Sequence, residues 1–436
     1  MAIRKLLLWI VVGVVLVGVG LLAIGYQPTV YLMPTPAVMG TGEINPFDLN
    51  PNLSKSNEVR ILFATNRLPA AETENRIYTI FPGDKLRIGV AHMRIGDEET
   101  PWEKILNLST SSEKGPRLAV RLEELEERAQ FPLDGDASPS GTENRAMADT
   151  VNRALEQSVD KDITIYVHGA NTAIFRAAAQ AAQYHHFTGR NSVVLAFLWP
   201  SAENLFAYGT DERHALKSAP AFARLLELLA RHTHARNINI IAYSAGAQIV
   251  SPALDIVGRN SPIEKRKDLR LGEVYFAAGD IGVDTFVKHL QSYADMPRGT
   301  TVAVNLSDSV LALAARRTRV SRAGRPDIGD LSQEKYNWVR KATQGPELTV
   351  IKVSAETVSG MGSRTHDFWY SHPWVSSDVL TQFIFHLLPR ERGLVENVQE
   401  GGVRYWTFPP DFPQRIVEIV REAAMEKRNL PARVTR

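Results

Sequence analysis

A nine-residue stretch at 238–246, with the sequence INIIAYSAG, constrains the fold of this chain more than any other. Its first six residues predict a buried strand, and the residues after Ser244 predict the start of a helix. A serine held on a sharp turn between a strand and a helix is typical of an enzymatic nucleophile. Ala242 and Gly246 fit such a turn, because the positions two residues either side of the serine must be small. The alternative interpretation is a buried serine at a strand end that carries no chemistry.

From residue 162 onward, short apolar runs alternate with helical segments. Runs that are apolar throughout predict parallel strands covered on both faces, and the alternation predicts right-handed crossovers. Together with two earlier runs, this pattern predicts an α/β fold whose mostly parallel, eight-stranded sheet has helices on both faces and Ser244 after the fifth strand. Apolar spacing also predicts helices at 120–128 and 142–158. The predicted strands are 60–65, 86–93, 163–167, 193–199, 238–243, 273–278, 301–306 and 348–353.

The N-terminal region predicts a membrane anchor. Arg4 and Lys5 precede an uncharged, apolar run at 6–26, and the next charged residue is Glu43. About 20 such residues cross a bilayer as a helix, and basic residues mark the cytoplasmic side. We therefore expect a cytoplasmic segment at 1–5, an uncleaved transmembrane signal anchor at 6–26, and a single-pass membrane protein whose catalytic domain is extracytoplasmic, on the periplasmic or extracellular side. The alternatives are a cleaved signal peptide, which has a shorter apolar core, and a buried core helix.

The rest of the chain divides into three parts. Residues 27–57 contain five prolines among several glycine, asparagine and serine residues, which predicts an extended linker. Residues 58–395 carry the predicted strands and form the α/β domain. Residues 396–436 contain an amphipathic helix at 414–427 and a basic end, which predicts a C-terminal helical tail.

Composition narrows the chemistry further. The chain has no cysteine, which excludes disulfides, thiolate metal sites and a cysteine nucleophile. Its net charge of +2 favours no polyanionic partner, so we expect no nucleic acid partner. The paired histidines have no accompanying carboxylate cluster, and neither a phosphate-binding loop nor a dinucleotide motif is present. We therefore expect no metal and no cofactor. The sequence does not indicate an oligomeric state.

Candidate partners for Ser244 follow later predicted strands. A serine needs a base to accept its proton, and the base needs a carboxylate to orient it. Asp308 follows the seventh strand, although it could instead cap the next helix, and Asp280 after the sixth strand is the alternative acid. His366 follows the eighth strand and is preferred over His372 as the base, because it comes first after the strand.

Backbone groups that could stabilise an oxyanion follow the third predicted strand. The sequence HGAN at 168–171 predicts a turn at the carboxyl end of that strand, beside the serine turn. We expect the N–H of Ala245 and that of Ala170 or Asn171 to form an oxyanion hole. His168 is expected to brace this turn rather than act as a base, because it precedes the serine and lies on the oxyanion side.

These motifs resemble those of the α/β-hydrolase superfamily, and more narrowly a bacterial family of such hydrolases of unknown function. The serine, aspartate and histidine also occur in that superfamily's order along the chain. Members usually have a histidine where Tyr243 stands and often a proline where Gly279 stands; neither difference removes a catalytic group. The resemblance implies a serine hydrolase and gives no substrate. The matching pieces are FATNR at 63–67, VHGAN at 167–171, FLWPS at 197–201, AYSAG at 242–246, AAGDIGVD at 277–284 and HDF at 366–368.

Together, these features predict a membrane-anchored serine hydrolase of carboxylic esters, esterase-like or lipase-like, whose substrate is a small-molecule or lipid ester. A candidate from another class is an inactive hydrolase-fold module that binds or scaffolds in the cell envelope. The intact set of Ser244, Asp308 and His366 argues against it. Five arginines between 316 and 325 predict a solvated loop or, alternatively, a contact with anionic lipid head groups.

Overall fold

The computed structural model describes residues 28–70, 77–112, 115–133 and 141–429, together with Ile10 and Gly13. These residues form one mixed sheet in the order β10-β11-β9-β8-β7-β6-β4-β5-β1-β2-β3, with helices packed on it. The strands are β1 (Glu58–Pro69), β2 (Tyr78–Ile95), β3 (Val120–Pro132), β4 (Ile163–Val167), β5 (Val193–Phe197), β6 (Ile238–Tyr243), β7 (Leu271–Ala277), β8 (Gly299–Val304), β9 (Thr349–Lys352), β10 (Val395–Val398) and β11 (Arg404–Thr407). The α-helices are α1 (Trp102–Thr110), α2 (Thr142–Gln157), α3 (Ile174–Phe187), α4 (Tyr208–His232), α5 (Ala247–Asn260), α6 (Val283–Tyr293), α7 (Ser309–Thr318), α8 (Gln333–Ala342), α9 (Phe368–Ser371), α10 (Pro373–Phe385) and α11 (Phe412–Asn429).

The middle of the sheet is parallel, as its apolar runs predict. Neighbouring strands from β11 to β1 all run in the same direction, and β4, β5 and β6 are buried along their whole length. They are buried because helices cover both faces, so that an apolar core lies on each side. The carboxyl ends of these strands form one edge, called the carboxyl edge below, and the amino ends form the opposite edge.

The predicted strand number was too low, and one missing strand was mistaken for a helix. Residues 120–128 form part of β3, which pairs antiparallel with β2, instead of the predicted helix. Extra residues at Glu123 and Arg128 bulge out of the β2–β3 pairing. Each bulge breaks the two-residue alternation of a strand, so the apolar residues recur at spacings that resemble a helix. The described sheet has eleven strands rather than eight, and Ser244 follows the sixth rather than the fifth.

The proline-containing segment before β1 packs on the domain. Its prolines keep it largely free of regular structure, but the apolar side chains of Leu32, Val38 and Phe47 are buried. The N–H of Leu32 donates to the Leu118 carbonyl at 2.8 Å, and that of Val38 donates to Ser377 Oγ at 3.1 Å. A free spacer would leave these groups in water, so residues 28–57 are a structural part of the domain.

The C-terminal region contains strands as well as the expected helix. Strands β10 and β11 form a hairpin that joins the sheet beside β9, and Trp406 of this hairpin is buried. The tail predicted to be helical from residue 396 is therefore part hairpin and part helix. The predicted helix at 414–427 lies within α11.

Two predicted N-terminal segments, the cytoplasmic residues 1–5 and the anchor at 6–26, lie outside the described residues except for Ile10 and Gly13. Among the residues that the structure does describe, no helix combines the length and the apolar composition needed to cross a bilayer.

A buried polar cluster lies at the amino edge of the sheet. His386 Nε2 is 2.8 Å from Asp162 Oδ2, and His386 Nδ1 is 3.5 Å from Glu273 Oε1. Burial disfavours the imidazolium, but the hydrogen bond to Asp162 and the nearby Glu273 carboxylate outweigh this effect and raise the pKa of His386 above 6.5. Burial also disfavours the Asp162 carboxylate, yet its contacts with His386 and Arg236 lower its pKa to about 2.

We expect this cluster to stabilise the fold most between about pH 4 and 6.5. A raised histidine pKa adds stability below the unfolded-state value, and that stability is lost as pH rises through the folded-state pKa. A lowered aspartate pKa adds stability that is lost as pH falls toward about 2. His386 has a left-handed φ of 55°, which asparagine also tolerates. The substitution His386→Asn should therefore reduce the free energy of unfolding by about 1–3 kcal/mol near pH 6 and by less near pH 9. Denaturant titrations that give the same difference at both pH values would contradict this account.

Candidate active site

Ser244 lies on a sharp turn between β6 and α5. Its φ of 51° is in the left-handed region, a strained value for a residue with a side chain. The sequence suggested that small residues allow a close approach across this turn. At Gly246 the closest approach is instead to strand β4, because a Cβ there would lie 2.5 Å from the carbonyl oxygen of Val167 and 3.0 Å from that of His168.

The structure brings Ser244, His366 and Asp308 into one chain of hydrogen bonds. His366 Nε2 lies 2.8 Å from Ser244 Oγ, and His366 Nδ1 lies 2.6 Å from Asp308 Oδ2. Asp308 is fully buried, whereas 13% of the His366 side chain is exposed. The imidazole therefore connects a buried carboxylate to the serine hydroxyl at the carboxyl edge, which is the geometry needed to move a proton from the hydroxyl.

The Asp308 carboxylate makes two different sets of contacts. Its Oδ1 accepts hydrogen bonds from the N–H groups of Val310 and Leu311, both at 2.9 Å, and so caps α7. Its Oδ2 faces His366. The sequence left open whether Asp308 caps the helix or contacts the histidine. The structure shows both contacts, because each involves a different oxygen atom of the carboxylate. The cap holds the carboxylate in the orientation that points Oδ2 at the ring.

The two alternative residues have other partners. Asp280 Oδ1 lies 2.5 Å from Arg322 Nε, and Asp280 Oδ2 accepts a hydrogen bond from the Tyr208 hydroxyl. The backbone N–H of Asp280 donates to the carbonyl of Ser244 at 2.9 Å, so this residue supports the serine turn through its main chain. His372 accepts a backbone hydrogen bond at the start of α10 and caps that helix.

The loop after β4 packs directly on Ser244. A Cβ at Gly169 would lie 3.0 Å from Ser244 Cβ and 3.5 Å from Ser244 Oγ, so the loop backbone lies against the serine side chain. Asn171 has a left-handed φ of 50°, and its N–H donates to Asp211 Oδ2 at 2.7 Å. That N–H is already paired with a carboxylate, which favours Ala170 over Asn171 as the loop's candidate oxyanion donor. Ala245 lies in the first turn after the serine, where helical N–H groups lack intrahelical acceptors.

Asp211 is a candidate site residue that the sequence analysis missed. Its buried carboxylate accepts the N–H of Asn171 and that of Ala202, the latter at 2.5 Å, and the Ser201 hydroxyl lies 3.3 Å away. It therefore ties the loop after β4 to the loop after β5. Burial raises its pKa. In the sequence it resembles any acidic residue in the first turn of a helix, and no local pattern links it to Asn171, 40 positions away.

His168 braces the loop, as expected. Its fully buried ring stacks on Trp199 with 5.1 Å between ring centroids, and the Trp199 indole N–H donates to the His168 carbonyl at 2.8 Å. Burial lowers the pKa of His168 to about 3, so the ring is neutral at ordinary pH. Across the described ranges, no three His, Asp or Glu side chains are grouped so that they could hold a metal ion.

An aromatic cluster that includes Tyr243 packs beside His366. The ring of Tyr243, which precedes the serine, lies 5.4 Å from the imidazole, and Trp369 and Tyr370 pack against Tyr243 at 6.2 and 5.9 Å. Burial raises the pKa of Tyr243, so it remains a neutral phenol. The residue before the serine therefore places an aromatic ring against the imidazole of His366.

A family model described as alpha/beta hydrolase of unknown function (DUF900) matches residues 143–381, more than half of the chain, and this segment contains Ser244, Asp308 and His366. The chain also matches the crystal structure of a Lactobacillus plantarum WCFS1 protein that is provisionally described as a cell surface hydrolase. The identity is 13% and the TM-score 0.29, and the match covers 53% of this chain and 94% of that chain. No curated protein sequence matches significantly.

Proposed function

Because the chain belongs to the family of alpha/beta hydrolases of unknown function, we propose that it is a membrane-anchored serine hydrolase of carboxylic esters. The observation that carries this proposal is the hydrogen-bond chain from Ser244 Oγ through His366 to Asp308, with distances of 2.8 and 2.6 Å. It joins a nucleophile, a base and an orienting carboxylate that come from three different strand ends.

Ser244 attacks the ester carbonyl while His366 Nε2 accepts the hydroxyl proton. His366 then returns that proton to the leaving alkoxide, so an alcohol departs and an acyl-enzyme remains. Water, deprotonated by the same imidazole, hydrolyses the acyl-enzyme and restores the serine. Asp308 holds the imidazole in the tautomer with a proton on Nδ1 and stabilises the imidazolium formed in both steps.

The tetrahedral oxyanion is stabilised by the N–H groups of Ala245 and Ala170. The Ala245 group lies at the start of the helical segment that leads into α5, and this end of a helix carries partial positive charge. The Ala170 group lies on a loop held against Ser244 by Gly169. Asp211 is the positioning residue for this loop, because its carboxylate fixes the adjacent Asn171 N–H.

Asp211→Asn should therefore lower kcat by about 10²-fold at nearly unchanged KM, since a displaced oxyanion donor weakens binding of the transition state only. The measurement is steady-state hydrolysis of a soluble ester, together with the affinity for a boronic acid that mimics the tetrahedral intermediate. Asp255→Asn, which changes a carboxylate that contacts Arg259 and Ser292 rather than the loop after β4, is the matched control and should have a small effect. A lower melting temperature with unchanged kcat and boronate affinity would show that Asp211 only stabilises the fold.

The substrate class is tested by a series of p-nitrophenyl esters of increasing acyl length, with matched amides and phosphate esters as controls. We expect the protein to hydrolyse the carboxylic esters of this series. Turnover of the phosphate esters alone would refute the ester-hydrolase assignment. The inactive envelope module is the second candidate, and it predicts no turnover in any member of the series.

Membrane anchoring through residues 6–26 is also part of the proposal, and it rests on the uncharged run that follows Arg4 and Lys5. The catalytic domain should lie outside the cytoplasm, so protease added to spheroplasts should digest it. A cytoplasmic marker protein in the same sample should remain intact. Protection of the domain together with the marker would reverse the proposed orientation.

A further inference from the structure

Exposed apolar side chains lie on three segments that follow strands at the carboxyl edge, where the proposed active site lies. Phe175 follows the loop after β4, Phe206 follows β5, and Leu306, Val310 and Leu313 follow β8. All five are exposed, with Phe206 at 64% and Leu313 at 68%. Single exposed apolar residues are ordinary, but a set contributed by three separate loops around one nucleophile is typical of an interaction surface.

Helix α7 has an amphipathic pattern that places part of this set outward. Leu311 and Ala314 are buried against the domain, whereas Val310, Leu313 and Arg317 are exposed. These three positions are spaced i, i+3 and i+7, so they lie along one face of the helix. The helix begins at the Asp308 cap, so Val310, the first residue of this face, lies beside the hydrogen-bond chain of the site.

Contacts join this helix face to the loop that carries Phe206. The guanidinium of Arg317 lies over the Tyr208 ring at 5.2 Å and within 3.8 Å of Glu212. Tyr208 is two residues from Phe206, so the apolar stripe of α7 continues toward the β5 loop. Asp211 connects the loop after β4, which leads to Phe175, with the loop after β5, which leads to Phe206.

The charge at the end of this stripe is positive. Arg316 and Arg319 are exposed, and no ion pair is recorded for either within the part of the chain that the structure describes. The five arginines between 316 and 325 therefore do not act alike. Arg322 is buried in an ion pair with Asp280, whereas Arg316 and Arg319 face the solvent. An apolar stripe bordered by arginines matches a bilayer with anionic head groups, where apolar side chains enter the acyl region and arginines contact phosphates.

We propose that the surface formed by Phe175, Phe206, Leu306, Val310 and Leu313, with Arg316 and Arg319, docks the site mouth onto an anionic phospholipid bilayer. The substrate is then a lipid ester that enters the site from the bilayer. The substrate part rests on the proposed ester hydrolysis, whereas docking itself needs no turnover. A protein partner in place of lipid is an outcome that the test separates.

The absence of native cysteine allows a site-specific test on the full chain. Leu313→Cys and Ile263→Cys, each in a Ser244→Ala background, are labelled with an environment-sensitive fluorophore and reconstituted into phosphatidylcholine vesicles with or without phosphatidylglycerol. Ile263 is the matched control, because it is 76% exposed but precedes β7 at the amino edge. We expect the Leu313 label to shift to shorter wavelength, more strongly with phosphatidylglycerol, and the Ile263 label to remain as in water. A Leu313 label that stays water-exposed in both vesicle types would overturn the docking proposal and favour a protein partner.

A kinetic test addresses the substrate. Leu313→Ser and Phe206→Ser should each lower hydrolysis of a phospholipid in anionic vesicles about 10-fold or more, because each removes one apolar side chain that docking would bury in the bilayer. Neither substitution should change hydrolysis of a soluble short-chain ester. Ile263→Ser should change neither rate. Equal losses on both substrates would contradict a docking role. A wild-type protein that hydrolyses neither substrate would instead refute the proposed function, while the fluorescence result would still decide docking.

Discussion

Replacing Ser244 with alanine should abolish ester hydrolysis and leave the fold intact. The change removes one oxygen atom from a turn whose other contacts come from the backbone, including the 2.9 Å hydrogen bond from Asp280 N–H to the Ser244 carbonyl. Without the nucleophile, only substrate binding and the oxyanion hole remain, so kcat should fall by about 10⁴–10⁶-fold. Activity and thermal unfolding of the purified full-length protein are the measurements.

Two further variants make this result specific. Ser307→Ala removes another serine hydroxyl at the carboxyl edge that has no place in the mechanism, and it should leave the rate nearly unchanged. His366→Ala should cost about as much as Ser244→Ala, and the double variant should cost no more than either, because residues that act as one unit are not additive. Near wild-type activity in Ser244→Ala would end the assignment of this residue as nucleophile.

Asp308→Asn should lower kcat by about 10⁴-fold while leaving the melting temperature nearly unchanged. Asparagine keeps an oxygen that can accept the N–H groups of Val310 and Leu311, and it caps helices as well as aspartate does. Its amide N–H₂ would instead face His366 Nδ1, so the imidazole would adopt the wrong tautomer. The loss is therefore catalytic rather than structural.

Asp280→Asn should have the opposite result. This carboxylate is buried with Arg322 at 2.5 Å, so the substitution leaves a buried guanidinium without its anion. Breaking such a pair costs about 3–5 kcal/mol of stability, while kcat well below the melting temperature should change little. A large kinetic loss for Asp280→Asn with a small one for Asp308→Asn would move the orienting acid to the loop after β7. Mild kinetic effects from both would favour the inactive-module candidate.

The sequence predicted those parts of the fold that follow from local patterns. The central parallel strands β4, β5 and β6 could be predicted because they are mostly apolar and fully buried, and β6 has the predicted bounds. Ser244, Asp308 and His366 could be selected because parallel strands end at one edge, which brings residues distant in sequence together. The membership of the α/β-hydrolase family was evident from motifs at the same strand ends.

Other features depend on contacts that no local pattern records. Strand β3 was misassigned because two bulges removed its alternation. The segment at 28–57 is rich in proline, and only its burial against helices shows that it is part of the domain. Asp211 has no distinguishing neighbours in sequence, and its connection to Asn171 exists only in the folded chain. Long-range hydrogen bonds of this kind require the structure.

The measurement that tests the central claim most directly is covalent labelling with a fluorophosphonate, followed by mass spectrometry of the labelled peptide. A fluorophosphonate reacts with a serine only when a base and an oxyanion hole activate it. We expect one adduct per chain, located on Ser244 and lost in His366→Ala. An unlabelled protein, or an adduct on a different serine, would contradict it.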